Sequence, residues 1–315
     1  MKLGLYIHLG TLLNDKLLEW AAKLRDAGVS HCCYANLPVD TVAVAKGDVA
    51  YMQSVVDKAS AQLAALTAMG MTVGVRPMPM ILEQIKEKVP IAPPPSLEVP
   101  TPNFIACRTS IAVAKMLLPS LGEHNLIVQH EAHDTSDVVI RNWVVDQLGP
   151  ASTFYYGFQG PWHKYGADFG KYDKPHVFHV ALNAAGAGDA SAPGAFPGPA
   201  ECTAKNILDA TTKLALRLTP WASAWSVRKL HGHINVLPTT PVERIVSMIC
   251  AAEAVLSNTN TSNPTGDPVW SQLVDVLMLR LVDDNGNTLS DPATGKHMVM
   301  PNVIAAIREC QWLTQ

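Results

Sequence analysis

Residues 3–34, LGLYIHLGTLLNDKLLEWAAKLRDAGVSHCCY, contain one complete strand–helix–strand unit. The apolar run from Leu3 to His8 predicts a strand, and apolar residues then recur at the spacing of one helix face between residues 17 and 24. Gly28 stands where helices commonly end, and Val29 to Tyr34 predicts a second strand. This order is typical of a parallel βαβ unit.

The same alternation continues along the chain. Further strands are predicted at Met71–Pro77, Leu126–Gln129, Thr153–Phe158, His176–Leu182 and Trp221–Val227, with helices between them. One helix is predicted from about Val49 up to Gly70, and another at Val242–Leu256. No GxGxxG or Walker loop follows the first strand, where an open nucleotide-binding sheet would carry one. The sequence therefore predicts an α/β fold, a TIM-barrel-like (β/α)8 domain with long Pro/Gly-rich loops. The eighth strand has no clear candidate.

The predicted strands and helices divide the chain into two regions. Residues 1–257 form the predicted (β/α) barrel domain. Residues 258–315 form a predicted C-terminal helical extension packed on the barrel, with helices at Val269–Leu281 and Val303–Trp312. Residues 91–103 and 184–200, rich in Pro, Gly, Ala and Ser, are predicted loops.

Composition excludes several classes of protein. The 315 residues are 48% hydrophobic and 16% charged with a net charge of -3, which suits a large core and gives no reason for nucleic-acid binding. No apolar run is long enough to span a bilayer, and residues 1–8 lack the pattern of a secretory signal, so we expect cytoplasmic synthesis and no membrane partner. The six cysteines lack CxxC spacing, which favours buried thiols over a disulfide scaffold or zinc site.

Polar and aromatic residues end or follow the predicted strands. Catalytic residues of barrels come from the carboxyl ends of strands, so a polar ligand is expected there. The residues predicted to contact it are His8, Tyr34, Asn36, Arg76, Gln129, Tyr156, Gln159, Trp162, Asn183 and Trp225. Aromatic rings stack on the apolar faces of sugars, and the polar side chains hydrogen-bond hydroxyls, so the predicted ligand is a carbohydrate.

The densest polar cluster is residues 129–134, Gln-His-Glu-Ala-His-Asp. Glu131 follows the predicted fourth strand, and a carboxyl group held there can act as a general acid when its pKa is raised. We expect Glu131, His130 and Asp168 to be the catalytic residues. The alternative is that Glu131 or Asp134 only caps the next helix.

This arrangement resembles the (β/α)8-barrel glycoside hydrolases whose acid/base Glu ends the fourth strand. The resemblance covers residues 1–230 and implies a glycoside hydrolase with Glu131 as the general acid. In the largest clan of these enzymes that Glu follows an Asn, whereas here His130 precedes it. The clan also has a nucleophilic Glu ending the seventh strand, and residues 221–226 contain no carboxylate. Loop carboxylates are left for the second role: Asp168, Asp173, Asp189 and Glu201.

Two other functions compete with this hypothesis. A non-catalytic barrel that binds glycan or acts as a structural or assembly component is favoured by the missing carboxylate of the seventh strand. A metal-dependent hydrolase would gather histidines around an ion, namely His8, His130, His133, His231 and His233. His130 and His133 lack HExxH spacing, so we expect no bound metal and no cofactor.

Overall fold

The computed structural model describes residues 1–78, 111–127, 148, 155–158, 176–181, 204, 227–256 and 274–314, apart from residues 286, 294 and 295. Within residues 155–158, 176–181 and 227–231 it describes the backbone alone. The strands are β1 (Lys2–Thr11), β2 (His31–Pro38), β3 (Thr72–Met78), β4 (Asn125–Leu126), β5 (Tyr155–Phe158), β6 (His176–Ala181), β7 (Val227–Val236) and β8 (Val274–Leu281). The helices are α1 (Leu17–Asp26), α2 (Thr41–Ala45), α3 (Val49–Ala68), α4 (described over 111–117), α5 (Val242–Leu256) and α6 (Pro301–Glu309).

All described strand pairs are parallel, and the sheet has the order β4-β3-β2-β1-β8-β7-β6-β5. Strands that are neighbours in the chain are neighbours in the sheet, and the first strand also pairs with the last. In an open doubly wound sheet the first strand does not lie beside the last. The observed order is that of a (β/α)8 barrel, so the predicted TIM-barrel-like α/β fold is confirmed.

The helices next to β1 and β2 begin and end where local chemistry dictates. The Asp48 side chain accepts a hydrogen bond from the Tyr51 N–H at 2.9 Å and so caps the first turn of α3. Gly28 follows α1 with φ 93°, and Gly70 follows α3 with φ 73°. Glycine adopts this left-handed conformation without steric cost, which lets the chain turn back into the next strand.

Two elements differ from the sequence prediction. Residues 274–281 form strand β8 between β1 and β7, where a helix was predicted, so this part of the C-terminal region belongs to the sheet. The boundary proposed at residue 257 lies outside the described residues. Strand β7 begins at Val227, where the predicted seventh strand ended. The helix prediction for β8 failed because the strand is buried on both faces and shows no alternation.

The core is divided by the sheet into two parts. The larger cluster packs the helices against one face of the sheet, and β1 contributes Leu3, Leu5, Ile7 and Leu9 to it. A smaller cluster consists of residues in strands or directly after one: Tyr6, Cys33, Ile127, Val276 and Met278. Side chains alternate between the faces of a strand, so the smaller cluster is the interior of the barrel.

Irregular pairing between β1 and β2 changes where their side chains point. Leu5 pairs with Cys32, but His8 pairs with Tyr34, so β1 has one extra residue in this interval. Such bulges bend a strand and redirect side chains, and they are common beside active sites. Cys33 belongs to the interior cluster, and the adjacent Tyr34 packs against that cluster. The irregularity thus brings Tyr34 to the interior side of the barrel.

Candidate functional site at the carboxyl ends of the strands

Four predicted site residues lie together on three adjacent strands. His8 is on β1, Tyr34 and Asn36 are on β2, and Arg76 is on β3. His8 pairs with Tyr34 in the sheet register, and Asn36 pairs with Arg76. His8, Asn36 and Arg76 lie in the carboxyl-terminal halves of their strands, where barrels build their sites, and Tyr34 lies at the middle of β2.

The other predicted site residues are not part of this grouping in the described structure. Tyr156 is in β5, opposite Phe178 of β6, with only its backbone described. The remaining predicted residues lie outside the described residues: Gln129, His130, Glu131, Gln159, Trp162, Asp168, Asn183 and Trp225. Trp225 was expected at the carboxyl end of the seventh strand and precedes Val227, the first residue of β7, in the sequence.

Tyr34 is the centre of the described grouping. The guanidinium carbon of Arg76 lies 4.0 Å from the centre of the Tyr34 ring, close enough for a cation–π interaction. The ring centroid of His8 is 5.1 Å from that of Tyr34, and the ring of His297 meets it edge-on at 6.3 Å. These contacts hold the aromatic ring between three polar side chains. Burial raises the pKa of the Tyr34 hydroxyl, so it stays protonated at neutral pH.

Asn36 and Arg76 are joined directly. The Nε of Arg76 donates a hydrogen bond to the Oδ1 of Asn36 at 2.9 Å. A guanidinium group has five N–H donors, so this bond fixes its orientation and uses one of them. The pair therefore places a cation with a defined direction at the ends of β2 and β3.

His8 is neutral at neutral pH. Burial, and next the positive charge of Arg76, lower its pKa to about 4. Its Nε2 atom is buried and has no hydrogen-bond partner within the described chain. A buried polar atom without a partner carries an energetic cost, which a bound ligand can remove by hydrogen-bonding to it.

Further residues extend this site onto β7 and β8: His233, which the sequence analysis named only as a possible metal ligand, and three residues that it missed, Asn235, Arg280 and His297. His233 and Asn235 lie on β7, Arg280 lies on β8, and His297 follows β8 in the chain. Asn235 pairs with Arg280 in the register. The sequence carried a signal for Arg280, because it is the only charged residue near the end of the apolar run 276–282. That signal went unused because the run was taken for a helix.

Arg280 is buried, with only 6% of its surface exposed. Its Nε donates to the Thr288 hydroxyl at 2.7 Å, and its guanidinium carbon lies 5.1 Å from the centre of the Tyr6 ring. The ring of His233 also contacts Tyr6, with centroids 5.1 Å apart. The positive charge of Arg280 on β8 is thus surrounded by aromatic and neutral polar side chains.

Within the part of the chain that the structure describes, the charges that act on the histidines of this site are positive. Burial and then Arg280 lower the pKa of His233, and burial, Arg280 and Arg76 lower that of His297. Lys296 contributes to the lowered pKa of His8. No carboxylate is among the charged groups that act on these three histidines within the described chain. The histidines are neutral at pH 7, and the guanidinium groups supply the charge.

A cleft of about 240 Å³ opens beside the end of β1. It is bordered by Gly10 and Thr11 of β1, by Trp20 of α1, and by Lys296. Trp20 has 43% of its surface exposed, which is high for so large an apolar side chain. The cleft adjoins the rim of the barrel and was not predicted from the sequence.

Neither a metal site nor a membrane segment is found in the part of the chain that the structure describes. There, no group of three or more His, Cys, Asp or Glu side chains is arranged to hold a metal ion. No helix over the same residues has the length and hydropathy needed to cross a bilayer.

No known protein family matches the sequence, and no curated protein matches it. Among solved structures, a glycoside hydrolase family 5 mannosidase from Rhizomucor miehei is similar with a TM-score of 0.46 and 10% identity, over 98% of this chain and 94% of that one. A glycoside hydrolase family 5 enzyme from Prevotella bryantii has a TM-score of 0.44 and 11% identity, over 98% and 95%. Likenesses this distant assign no activity to the chain.

Proposed function

We propose that the protein is a carbohydrate-active barrel that binds its ligand at the carboxyl ends of β1, β2 and β3. The observation that carries this proposal is the grouping of His8, Tyr34, Asn36 and Arg76 at one mouth of a parallel barrel. Ligand sites usually combine apolar walls with a few convergent polar groups. Here an aromatic ring stands among an imidazole, an amide and a guanidinium group.

The chemistry of these side chains suits sugar hydroxyls. Each hydroxyl both donates and accepts hydrogen bonds. The Nε2 of His8 lacks a partner within the described chain, and the guanidinium group of Arg76 lies against the neighbouring Tyr34 ring. Neutral histidine can donate or accept according to its tautomer, and a guanidinium group donates. This mixture of roles fits a polyhydroxylated ligand better than an apolar one.

The finer proposal is that the barrel is a glycoside hydrolase with Glu131 as the general acid. It rests on chain order, because Glu131 follows β4, and β4 pairs in parallel with β3, which carries Arg76. In a parallel barrel, residues that follow neighbouring strands emerge at the same mouth. His130 beside Glu131, and Asp168 as a second carboxylate, complete the proposed catalytic set.

One observation favours a second candidate, a barrel that binds glycan without cleaving it. The carboxyl end of β7 carries Asn235, and residues 233–240 include no carboxylate. A retaining glycosidase needs two carboxyl groups about 5–5.5 Å apart. Since Asn235 cannot serve as a nucleophile of that kind, double displacement would need a carboxylate from a loop.

Hydrolysis and binding measured side by side test these proposals. The wild type is screened against a broad panel of glycans for cleavage, and the same glycans are titrated calorimetrically. Glu131→Gln keeps size and hydrogen bonding but removes the transferable proton, so we expect kcat to fall by about 10²–10⁴-fold with little change in KM. Glu123→Gln is the matched control, since this exposed residue precedes β4 and pairs with Lys2 at 2.8 Å.

Each outcome supports or rejects one of these proposed functions. Unchanged hydrolysis by the Glu131→Gln variant rules out the general-acid role. Binding without cleavage by the wild type supports the non-catalytic glycan-binding barrel. Neither binding nor cleavage across the whole panel contradicts a carbohydrate function.

A further inference from the structure

We propose that the mouth of the barrel recognises an acidic glycan, with Arg280 as the residue that receives the sugar carboxylate. The inference deepens the proposed carbohydrate function and rests on it. It specifies the chemical class of the ligand, a uronate-containing oligosaccharide, and it assigns a specificity role to a residue on β8. Four steps lead to it.

The first step is the burial of the charge. Arg280 is 6% exposed on β8, the strand that lies between β1 and β7. Moving a guanidinium group out of water is unfavourable unless a counter-charge and hydrogen bonds compensate. Buried arginines are therefore usually paired with carboxylates.

The second step is the missing counter-charge. The contacts of Arg280 in the described chain are the Thr288 hydroxyl at 2.7 Å and the face of the Tyr6 ring at 5.1 Å. Within the described residues, Arg280 forms no ion pair with a carboxylate. A hydroxyl and an aromatic face orient the guanidinium group without neutralising it.

The third step is the sign of the charges around Arg280. Arg76 lies at the same mouth and, like Arg280, lowers the pKa of His297 through its positive charge. The described charged neighbours of His8, His233 and His297 are Arg76, Arg280 and Lys296. Positive charge held beside low-dielectric walls attracts ligands of the opposite sign.

The fourth step is the shape of the guanidinium group of Arg280. A guanidinium fork matches the two oxygens of a planar carboxylate, and such bidentate pairs are among the strongest hydrogen-bonded contacts in proteins. The Nε of Arg280 is already used by Thr288, which leaves the terminal N–H groups for a ligand. Tyr34 and His8, half-buried at the rim, lie where the rest of a sugar would pass.

The test compares acidic sugars with neutral ones that share the same backbone. Hexasaccharides of galacturonate, glucuronate and mannuronate are titrated calorimetrically beside their methyl esters, and cellohexaose and mannohexaose serve as neutral sugars. We expect at least one free acid to bind the wild type about 10–100-fold more tightly than its ester. Equal affinity of every acid and its ester, with measurable binding, overturns the inference and leaves the carbohydrate function standing.

Variants locate the preference. Arg280→Met should reduce the acid-to-ester ratio to about one and leave binding of the ester within about 3-fold. Arg308→Met, which changes an exposed residue of α6, is the control and should keep the full ratio. Thermal unfolding confirms that each variant is folded. Should Arg280→Met not fold, Arg280→Lys keeps the charge but loses the fork, and an unchanged ratio in that variant contradicts the bidentate role.

A last arm separates failure of the inference from failure of the carbohydrate function. Free glucuronate at millimolar concentration is added to the wild type and to Arg280→Met, and Tm is measured. A rise in Tm for the wild type alone, without binding of any oligosaccharide, supports an anion site and contradicts the glycan function. No rise, together with no preference for acids, overturns the proposal.

Discussion

The face of the sheet that packs against the helices differs from the face that lines the barrel, although the same strands build both. On β1, the helix-facing side chains are Leu3, Leu5, Ile7 and Leu9, all apolar and at most 8% exposed. The interior side chains toward the carboxyl end are Tyr6 and His8, joined by Arg280 from the adjacent strand β8 and His233 from β7. Among the described residues, the apolar part of the interior includes Cys33, Ile127, Val276 and Met278.

This difference separates stability from function. Helix-facing positions gain free energy simply by leaving water, at about 25 cal/mol per Å² of apolar surface. Buried polar positions in the interior contribute less or cost free energy, because charges and imidazoles lose hydration there. Selection for stability alone would replace them, and the proposed ligand-binding role accounts for their presence. The two faces should respond differently to mutation, to acid and to ligand.

The largest effect is expected on the helix-facing side. Leu5 is 2% exposed, lies between Cys32 and Leu279 in the register, and belongs to the larger core cluster. Leu5→Ala should lower the free energy of unfolding by about 2–5 kcal/mol, because it leaves a cavity that the packed helices cannot fill. Urea unfolding measures the change. A loss below about 1 kcal/mol would show that this layer is not the main source of stability.

A smaller effect on stability is expected when the histidines of the barrel interior become protonated at low pH. The pKa values of His8, His233 and His297 are lowered in the folded protein, mainly by burial, and that of His8 is about 4. In the unfolded chain these groups titrate near 6.5. The unfolded state therefore binds protons first as the pH falls, and stability that is complete above pH 6.5 is lost below it. Each such histidine contributes at most about 1.4 kcal/mol per pH unit.

Thermal unfolding between pH 8 and pH 5 checks this dependence. His233→Gln removes one interior group that can be protonated and should flatten the decline of Tm below pH 6.5. His124 provides the comparison outside the interior, since its Nδ1 accepts from the Val73 N–H at 3.1 Å and burial lowers its pKa too. A slope that does not change in the His233 variant would contradict a role for the interior in acid sensitivity.

The smallest effect on stability is expected at Tyr34. Its hydroxyl forms a hydrogen bond with the Arg76 side chain, and its ring contacts survive the change to Phe. Tyr34→Phe should change the free energy of unfolding by about 1 kcal/mol or less and weaken glycan binding by about 3–10-fold. Calorimetry with the best-binding glycan measures the second quantity.

Tyr51→Phe is the matched control for that experiment. The Tyr51 hydroxyl accepts a hydrogen bond from the Asp40 N–H at 2.7 Å, between α2 and α3. Its loss should cost about 1 kcal/mol of stability and leave binding unchanged. The reverse pattern, with Tyr34→Phe affecting stability alone, would contradict the assignment of the interior face to ligand binding.

The parts of the fold with local signals were predictable. Helix α3 follows from apolar spacing and ends at Gly70, and α5 was predicted with its observed bounds. Strand β8 was not predictable in this way, because a strand buried on both faces lacks the two-residue period. Leu and Met, which are frequent in it, also favour helices in isolation. Its identity as a strand depends on β1 and β7, which lie on either side of it.

The candidate site shows the same division. His8, Tyr34, Asn36 and Arg76 were predicted because each is a polar or aromatic residue near the end of an apolar strand. The predictions for Glu131, His130 and the loop residues lie outside the described residues and stay predictions. Arg280 and His297 were missed because their strand was missed. A residue's role in a barrel depends on how near it lies to the carboxyl end of its strand. That position cannot be assigned until the strand itself has been identified.

By itself, the sequence determined the alternation of strands and helices, because hydrophobic periodicity and glycine at helix ends act over only a few residues. It also determined which polar side chains stand near the ends of the first three strands. Only the tertiary structure decided that β1 lies beside β8, and that Arg280 is buried opposite Tyr6. Those relations join residues more than 270 positions apart in the chain. They exist because closing the sheet buries both faces of β8 at once, a free-energy gain that no local pattern encodes.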